Sequence, residues 1–341
     1  MKTISTFLAG AILFAAGQTA EAQNFLQLYQ RVNPAVAVIN TVERGAGAAG
    51  GQVAFQGLGS GVLIDSTQVM TAAHVVQTAD LVEVQFVTGE KIYANIIASD
   101  PSRDLALLEL EHEPMDIRPA RLGDSDDARV GSQVFVVGAP LGLSHTLTVG
   151  YLSARRGGEA AGGTLADDVV ILQTDAAINQ GNSGGPMFNL DGEVIGIVSY
   201  IMSQSGGFEG LGFAIASNTA RSVLLERNSF WSGISFVPLT NDLARLLNLP
   251  TAAGFLVQSV ALNSPAQRAG LRPSTVPANI NGADLLLGGD IVLAVDGIAV
   301  GEPDARSRIL DRLSSLSSGA SVTIDVLRLG QLEQLRYFHL E

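Results

Sequence analysis

Short apolar runs that alternate with clusters of turn residues constrain this chain most strongly. Between residues 35 and 213, β-branched and apolar runs are separated by Gly, Asp, Asn and Ser, with few helical patterns between them. Short strands at this spacing are typical of an all-β barrel or sandwich. The clearest runs are Val62–Ile64, Leu81–Val87, Leu105–Leu110, Val134–Val137, Val169–Leu172 and Val194–Val198.

The pattern changes after about residue 230. From residue 233 onward helical and strand-like segments are mixed, and residues 304–316 form an amphipathic pattern with its leucines and isoleucine on one face. A length of 341 residues suits two domains. We therefore predict a mainly β domain over residues 23–230, followed by a smaller α/β domain over residues 231–341.

The first 22 residues are predicted to be a cleavable export signal. Met1-Lys2-Thr3 gives a positive start, residues 4–17 are apolar, and Ala20-Glu21-Ala22 matches the small-x-small cleavage pattern. The apolar run is shorter than the roughly 20 residues that a membrane-spanning helix needs. An uncleaved anchor or a buried helix is the alternative.

Composition excludes several kinds of chemistry. The chain has no cysteine, which removes disulfides, cysteine-ligated zinc and thiol catalysis. It has 33 acidic against 20 basic residues, so no basic patch for nucleic acid is expected. No metal or other cofactor is predicted, because His112, His145 and His339 lack any paired ligand spacing.

Ser183 lies in a glycine-rich turn that suits nucleophilic catalysis, Gln180-Gly181-Asn182-Ser183-Gly184-Gly185-Pro186. A serine hydroxyl needs a neighbouring base, and the oxyanion formed on attack needs backbone N–H donors. Glycines allow the backbone to turn those groups inward. We predict an oxyanion hole at Gly181, Asn182 and Ser183, with the amides of Gly181 and Ser183 as the natural donors. A plain turn between strands is the alternative.

The pattern Gly181-x-Ser183-x-Gly185 also occurs in the nucleophile elbow of α/β-hydrolases. An elbow needs a helix directly after the serine, and Gly184-Gly185-Pro186 prevents one. It also needs its histidine downstream of the serine, where this chain has only His339. An esterase of that class is therefore the weaker alternative.

The base and the acid are predicted upstream of the serine. His74 follows a strand and a turn, and Asp104 precedes the apolar run of residues 105–110. Taken singly, His74 is compatible with a packed core residue and Asp104 with a turn or cap. The order His74, Asp104, Ser183 along a β-rich domain is that of the chymotrypsin triad.

Together these segments resemble the HtrA/DegP family of trypsin-like serine proteases, which carry at least one PDZ domain. The resemblance implies a chymotrypsin-like double β-barrel followed by a PDZ domain, with His74 as general base, Asp104 as its orienting acid and Ser183 as nucleophile. The chain departs from the family at Ala72-Ala73, where two asparagines are more frequent, and in its short loop at residues 45–57. The matching segments are Gly59–Val62, Thr71–Val76, Asp100–Leu110, Leu122–Ser125, Val137–Gly142, Gln173–Asn179, Gly181–Pro186, Asp191–Ile197 and Gly212–Ile215.

The resemblance also implies a substrate specificity pocket. A carboxylate six residues before the nucleophile would select Lys or Arg, and this chain has Ala177 there. Ile178 and the apolar segment Ile195-Gly196-Ile197 are predicted to line the rest of the pocket. We therefore expect cleavage after small aliphatic residues such as Val, Ala or Ile.

In the second domain, Gly254-Phe255-Leu256-Val257 resembles the carboxylate-binding loop of PDZ domains and the strand that follows it. A peptide C-terminus would add a strand at this edge, facing the helix predicted over residues 304–316. The segments 264–271 and 289–292 extend the resemblance. A domain that only packs against the protease is the alternative, and the insertion at residues 272–288 has no readable role.

The combined prediction is a serine endopeptidase for unfolded or misfolded proteins, in protein quality control and the stress response. It would act in the periplasm, with secretion as the second choice. The main alternative is a peptide-binding chaperone or scaffold with a latent active site, because family members can disorder the loops that correspond here to residues 142–150, 176–182 and 204–210.

The family forms trimers, often through aromatic residues near the ends of the protease domain. The resemblance therefore implies a homotrimer, and ordinary core packing is the alternative role of its candidate contact residues. These candidates are Phe25, Tyr29, Phe230 and Trp231.

Overall fold

The computed structural model describes residues 25–46, 52–161, 165–166, 168–203, 205, 207–227, 229–280, 282–302 and 304–339. The predicted signal peptide and its cleavage site lie outside these ranges, as do parts of the loops at residues 45–57 and 204–210. Residues 25–32 form helix α1, as the spacing of apolar residues predicts. Within the described ranges no helix is long and apolar enough to cross a membrane.

Six antiparallel strands close the first barrel, in the order β1-β2-β3-β6-β5-β4. Burial alternates along β4, so Val82, Val84 and Phe86 face the barrel core and the intervening residues face outward. Ile39, Leu63, Phe86 and Leu108 are buried at the centre of this core. The strands are β1 (Val36–Ala46), β2 (Gln52–Leu63), β3 (Gln68–Thr71), β4 (Leu81–Phe86), β5 (Lys91–Asp100) and β6 (Leu105–Leu110).

A second barrel of six strands follows, in the order β10-β11-β12-β9-β8-β7. On the side of this barrel that faces the first one, Phe135 stacks on Phe188 with ring centroids 5.1 Å apart, and both side chains are fully buried. The strands are β7 (Gln133–Gly138), β8 (Thr146–Gly157), β9 (Val170–Thr174), β10 (Pro186–Phe188), β11 (Val194–Ile201) and β12 (Gly212–Ala216).

The two barrels share a core along the seam where they meet. One apolar cluster contains Met70 and Leu105 from the first barrel together with Phe135 and Ile215 from the second. Loops from both barrels therefore meet at the edge of this seam. The connecting helices are α2 (Ala73–Val76), between β3 and β4, and α3 (Ser217–Ala220), which continues as a π-helical segment, Arg221–Glu226.

The second domain is built on a sheet in the order β13-β14-β17-β19-β20, with β18 paired to β17. The insertion contributes a separate hairpin, β15–β16, and its Leu285 packs against Leu256 and Ile291 of the main sheet. The strands are β13 (Ile234–Thr240), β14 (Ala253–Val260), β15 (Val276–Ile280), β16 (Ala283–Leu287), β17 (Ile291–Val295), β18 (Ile298–Ala299), β19 (Ser321–Arg328) and β20 (Gln331–Phe338). The helices are α4 (Asn241–Leu246), α5 (Pro265–Arg268) and α6 (Ala305–Ser314). The predicted architecture of a double β-barrel followed by a smaller α/β domain is confirmed.

Replacing Phe188 with alanine will lower the free energy of unfolding by about 3–5 kcal/mol, because the change leaves a cavity beside Phe135 in the apolar core shared by the two barrels. Phe338→Ala is the matched control, since Phe338 is 55% exposed and a surface change of this kind costs about 0.5 kcal/mol or less. Urea denaturation followed by circular dichroism measures both. Equal losses in the two variants would contradict this account of the core.

Candidate active site

His74 and Asp104 form a closely bonded pair. Asp104 precedes β6 with a left-handed φ of 54°, which a short polar side chain tolerates. Both carboxylate oxygens lie 2.9 Å from Nδ1 of His74, and the backbone amide of His74 donates to Oδ1 at 3.0 Å. The acceptor at Nδ1 favours the tautomer protonated there, so Nε2 is left as the basic nitrogen.

The surroundings of His74 set the pH range in which it is a base. Its side chain is half exposed, whereas Asp104 is buried. Burial lowers the pKa of His74, but the hydrogen bond and the charge of Asp104 together outweigh burial, so the pKa of His74 is raised above its ordinary 6.5. The neutral imidazole therefore forms as the pH rises through a value above 6.5.

Ser199 joins the acid to the nucleophile. Its hydroxyl donates to Oδ2 of Asp104, and its backbone carbonyl accepts a hydrogen bond from Oγ of Ser183 at 3.3 Å. The structure thereby brings His74, Asp104 and Ser183 to one place at the seam. In this conformation the Ser183 hydroxyl donates to Ser199, and the described residues show no hydrogen bond between it and His74.

Sequence reasoning missed Ser199. Its only signal was a polar residue directly after the apolar run of residues 194–198. Its function becomes visible only when the pairing of β11 with β10 and β12 places it beside Asp104, a residue of the other barrel.

The turn that carries Ser183 presents two free amides. Gly181 has a φ of 100°, which glycine adopts without strain. The amide of Asn182 donates to the carbonyl of Asn179 at 3.0 Å, and those of the two glycines after Ser183 are also used. Within the described residues, the amides of Gly181 and Ser183 make no hydrogen bond. The structure corrects the prediction for Asn182, because its N–H is taken up inside the turn.

Ser60 of the first barrel holds this turn in place. It is fully buried, its amide donates to the carbonyl of Ser183 at 2.8 Å, and its hydroxyl donates to the carbonyl of Gly181 at 2.7 Å. The same hydroxyl accepts from the amide of Ala139 at 2.9 Å, and the carbonyl of Ser60 accepts from Oγ1 of Thr71 at 2.8 Å. Four hydrogen bonds thus make Ser60 a positioning residue for both free amides.

Ile178 lies where the predicted specificity pocket begins. It is buried, and a Cβ placed on Gly212 would come within 2.6 Å of its Cδ1 and 3.4 Å of the Phe208 ring. Ala177, half-buried, is adjacent in the chain. The surroundings of Ile178 are therefore apolar, and Ile178 packs so closely on Gly212 that a larger residue there would displace it.

The opposite wall of the pocket differs from the prediction. The side chains of Ile195 and Ile197 are buried in the cores of the second barrel and of the seam, and Gly196 packs against Ala214. The residue of β11 that contacts Ser183 is Ser199. The structure therefore corrects the assignment of Ile195-Gly196-Ile197 to the pocket, because both isoleucine side chains are enclosed in apolar cores and Gly196 lies against Ala214.

The second domain offers a strand edge at β13 and not at β14. Phe255 and Leu256 of β14 pair with β13 on one side and with β17 on the other. Since both edges are occupied, a peptide cannot add to β14, and this corrects the assignment of Gly254-Phe255-Leu256-Val257 as the peptide-binding edge. β13 is one of the two outer strands of the sheet, and among the described residues no strand pairs with its outer edge, so that edge is available for an added strand.

A cavity of about 520 Å³ lies between the two domains. His74 and Asp104 line one side of this interdomain cavity, and Phe236 of β13 with Ile309 and Leu313 of α6 line the other. The groove between β13 and α6 therefore opens into the same space as the imidazole of His74.

Gln77, directly after α2, connects the two walls of the interdomain cavity. Its backbone carbonyl accepts from Nε1 of Trp231 at 3.0 Å, and its side-chain amide donates to the carbonyl of Ile234 at 3.2 Å. Ser99 donates to its Oε1 at 2.6 Å. One buried glutamine thus bonds the helix of His74 to the start of β13.

Family models match both parts of the chain. A trypsin-like peptidase domain matches residues 59–197, and a PDZ domain matches residues 233–337.

Several curated relatives carry the name probable periplasmic serine endoprotease DegP-like. The protein of Halomonas elongata is 37% identical over 294 residues, which cover 84% of this chain and 56% of the relative. That of Pseudomonas putida is 39% identical over 256 residues, covering 72% and 52%. That of Ectopseudomonas mendocina is 34% identical over 346 residues, covering 89% and 71%. The chain thus spans about half the length of the first two relatives.

Solved structures of an HtrA-type protease are also similar. The protease AlgW with tripeptide is 31% identical, with a TM-score of 0.52, covering 92% of this chain and 96% of that chain. The protease AlgW with decapeptide is 30% identical, with a TM-score of 0.51, covering 91% and 96%.

Ser183 will react with a fluorophosphonate probe at a rate that rises with pH through a midpoint above 6.5, since the neutral form of His74 is the base. Asp104→Asn will cut the rate by roughly 10⁴-fold, because it removes the acceptor that selects the tautomer. Mass spectrometry of the labelled chain over time measures both, with Ser183→Ala as the unlabelled control. A rate independent of pH would contradict the assignment of His74.

Ser60→Ala will slow the labelling of Ser183 by about tenfold, less than the loss of an oxyanion donor itself, because the carbonyl of Gly181 loses its hydroxyl partner. The pH midpoint will stay that of the wild type, since His74 and Asp104 are untouched. Ser66→Ala, at an exposed serine of the same barrel, is the control. Labelling by Ser60→Ala at the wild-type rate would refute this positioning.

Proposed function

Because the chain belongs to the HtrA/DegP family of trypsin-like serine proteases that carry a PDZ domain, we propose that it is a serine endopeptidase for unfolded or misfolded proteins. The observation that carries the proposal is the bonded series His74, Asp104, Ser199 and Ser183 beside two free amides. It contains the base, the acid, the nucleophile and the donors that acyl transfer requires.

The geometry supports a two-step acyl transfer. Nε2 of His74 takes the proton of Ser183 as Oγ attacks the scissile carbonyl carbon, and the carbonyl π electrons move to oxygen. The amides of Gly181 and Ser183 donate to that oxyanion. His74 then gives its proton to the departing amine, and water hydrolyses the acyl-enzyme by the same steps in reverse order. Asp104 stabilises the imidazolium in both stages.

Cleavage after small aliphatic residues is the proposed specificity. Ala177 supplies no carboxylate to bind Lys or Arg, and the neighbouring residues are apolar, with Ile178 buried and Phe208 partly exposed beside it. An apolar side chain of modest size would bury its surface there, whereas a charged one would lose its hydration without a partner.

Peptide C-termini are the proposed ligands of the PDZ domain. The free edge of β13 can pair with an added strand, and Phe236, Ile309 and Leu313 form an apolar groove for its side chains. The carbonyl of Ile234 on this edge is bonded to Gln77, so the side chain of Gln77 must move when a peptide occupies that position.

The periplasm is the proposed location, and we expect the export signal to be cleaved after Ala22. The protease domain is proposed to end near residue 230. The names of the relatives support the compartment. Protein quality control under stress would suit a chain without cysteine, since such a chain does not depend on the redox state.

A homotrimer is the proposed assembly. All four aromatic candidates already make contacts within one chain, so a trimer would use their remaining surface. Sizing chromatography measures the oligomeric state. Phe25 packs on Phe135, the Tyr29 hydroxyl donates to the carbonyl of His145, Phe230 contacts Tyr337, and Trp231 donates to Gln77.

A peptide-binding chaperone with a latent site is the second candidate. One observation favours it, namely that the Ser183 hydroxyl is bonded to the carbonyl of Ser199. Labelling by a serine-reactive probe separates the two candidates, because a latent site leaves the hydroxyl unreactive.

The wild-type chain will degrade unfolded casein, and Ser183→Ala will abolish this while keeping the wild-type circular dichroism spectrum, because only the nucleophile is lost. Mass spectrometry of the products will place most cuts after Val, Ala or Ile. Casein hydrolysis by Ser183→Ala near the wild-type rate would refute the nucleophile. Cuts mainly after Arg or Lys would refute the specificity alone.

A further inference from the structure

Arg306 lies at the junction of the PDZ groove and the interdomain cavity. It is the second residue of α6, and its Cζ lies 6.0 Å from the ring centroid of Phe236 on β13. Arg306 and Phe236 line the interdomain cavity together with Ile309 and Leu313. A cationic side chain thus faces an otherwise apolar groove at the point where α6 begins.

Arg306 differs from the other arginines of α6 in lacking a partner. Arg308 pairs with Glu302 at 2.6 Å and Arg312 with Asp296 at 2.6 Å. Among the described residues, Arg306 takes part in no ion pair. A guanidinium with no carboxylate beside it can still accept one in a planar, two-point contact.

The charged groups across the cavity do not neutralise Arg306. The charges of Asp100 and Arg103 in the protease domain act on Arg306 in opposite directions, and the carboxylate of Asp100 is already bonded to Arg103 and Ser102. Partial desolvation lowers the pKa of Arg306 from its ordinary value, although part of its side chain stays exposed to solvent. A carboxylate brought by a ligand would compensate this desolvation.

The direction of a bound peptide places one of its side chains at Arg306. The resemblance to PDZ domains puts the carboxylate-binding loop directly before the pairing strand, which here is β13, and the chain turns there through Gly233 with a φ of 75°. The peptide then runs antiparallel to β13 with its last residue beside Ile234. Since side chains alternate between faces, the residue two before the end shares the groove face with the last and lies beside Phe236.

We propose that Arg306 forms a subsite that selects peptides with an acidic side chain two residues before the C-terminus. The proposal rests on the proposed function of the PDZ domain. The ligands of that domain would be peptides with an apolar last residue and an acidic residue two positions earlier. Arg306 would determine which peptide C-termini the domain binds.

Fluorescence anisotropy tests the subsite on the full chain carrying Ser183→Ala, so that peptides are not cut. Two labelled peptides end in the same valine and differ only in Glu or Gln two residues before it. We expect the Glu peptide to bind about fivefold more tightly, the upper end for an accessible ion pair. The difference will shrink as salt is added.

Variants of α6 locate the effect. Arg306→Ala will bind the Glu and Gln peptides equally, and Arg306→Glu will prefer a peptide with Lys at that position. Arg308→Ala is the matched control and will keep the preference for Glu, because Arg308 is paired with Glu302 outside the interdomain cavity. Equal binding of the Glu and Gln peptides by the chain with Arg306 intact would overturn the subsite.

Two further arms separate the possible failures. Amidation of the peptide C-terminus will weaken the binding of both peptides, and by the same factor in the chain with Arg306 and in the Arg306→Ala variant. If amidation weakens binding only to the chain with Arg306, then Arg306 binds the terminal carboxylate and the proposal is overturned. Gln77→Ala frees the carbonyl of Ile234. If no peptide binds even to this variant, the proposed peptide binding fails and the subsite fails with it.

Discussion

The buried carboxylate of Asp104 is the group on which the active site depends. It accepts from the backbone amide and the ring of His74, so it satisfies an amide in the first turn of α2 and fixes the tautomer of its histidine. It also accepts from the hydroxyl of Ser199, whose carbonyl contacts Ser183. A single carboxylate therefore connects a helix and a turn of the first barrel to a strand of the second. Its charge is compensated by three donors, and it holds the pKa of His74 above 6.5 against the opposing effect of burial.

The two barrels divide the chemistry between them. The first supplies the base and the acid, and the second supplies the nucleophile and the amides for the oxyanion. Ser60 crosses back from the first barrel to bind the carbonyls of Gly181 and Ser183. Because the seam is a shared apolar core and contains no disulfide, packing and these few hydrogen bonds maintain the alignment. The PDZ domain forms the other side of the interdomain cavity, and Gln77 bonds the helix of His74 to the start of β13, the edge strand of the PDZ domain.

The sequence predicts much of the fold, and the remainder depends on contacts between distant segments. Alternating patterns and turn clusters predict the barrels, and the order of His74, Asp104 and Ser183 predicts which residues meet. Local patterns cannot show that the amide of Asn182 bonds inside its own turn, nor that Ile195 and Ile197 of β11 are buried in apolar cores. Local patterns also cannot show which strand lies at the edge of the sheet, because β14 is an inner strand only through its pairing with β13 and β17. The sequence alone does not distinguish Ser199 and Arg306 from other polar residues, because their roles depend on where the fold places them.

A crystal structure of the chain after reaction with a peptidyl phosphonate ending in valine tests the assembled site most directly. The account predicts phosphorus bonded to Oγ of Ser183, one phosphonyl oxygen within hydrogen-bond distance of the amides of Gly181 and Ser183, and His74 still bonded through Nδ1 to Asp104. An unmodified Ser183 after prolonged exposure, or an adduct whose oxygens face away from both amides, would contradict it.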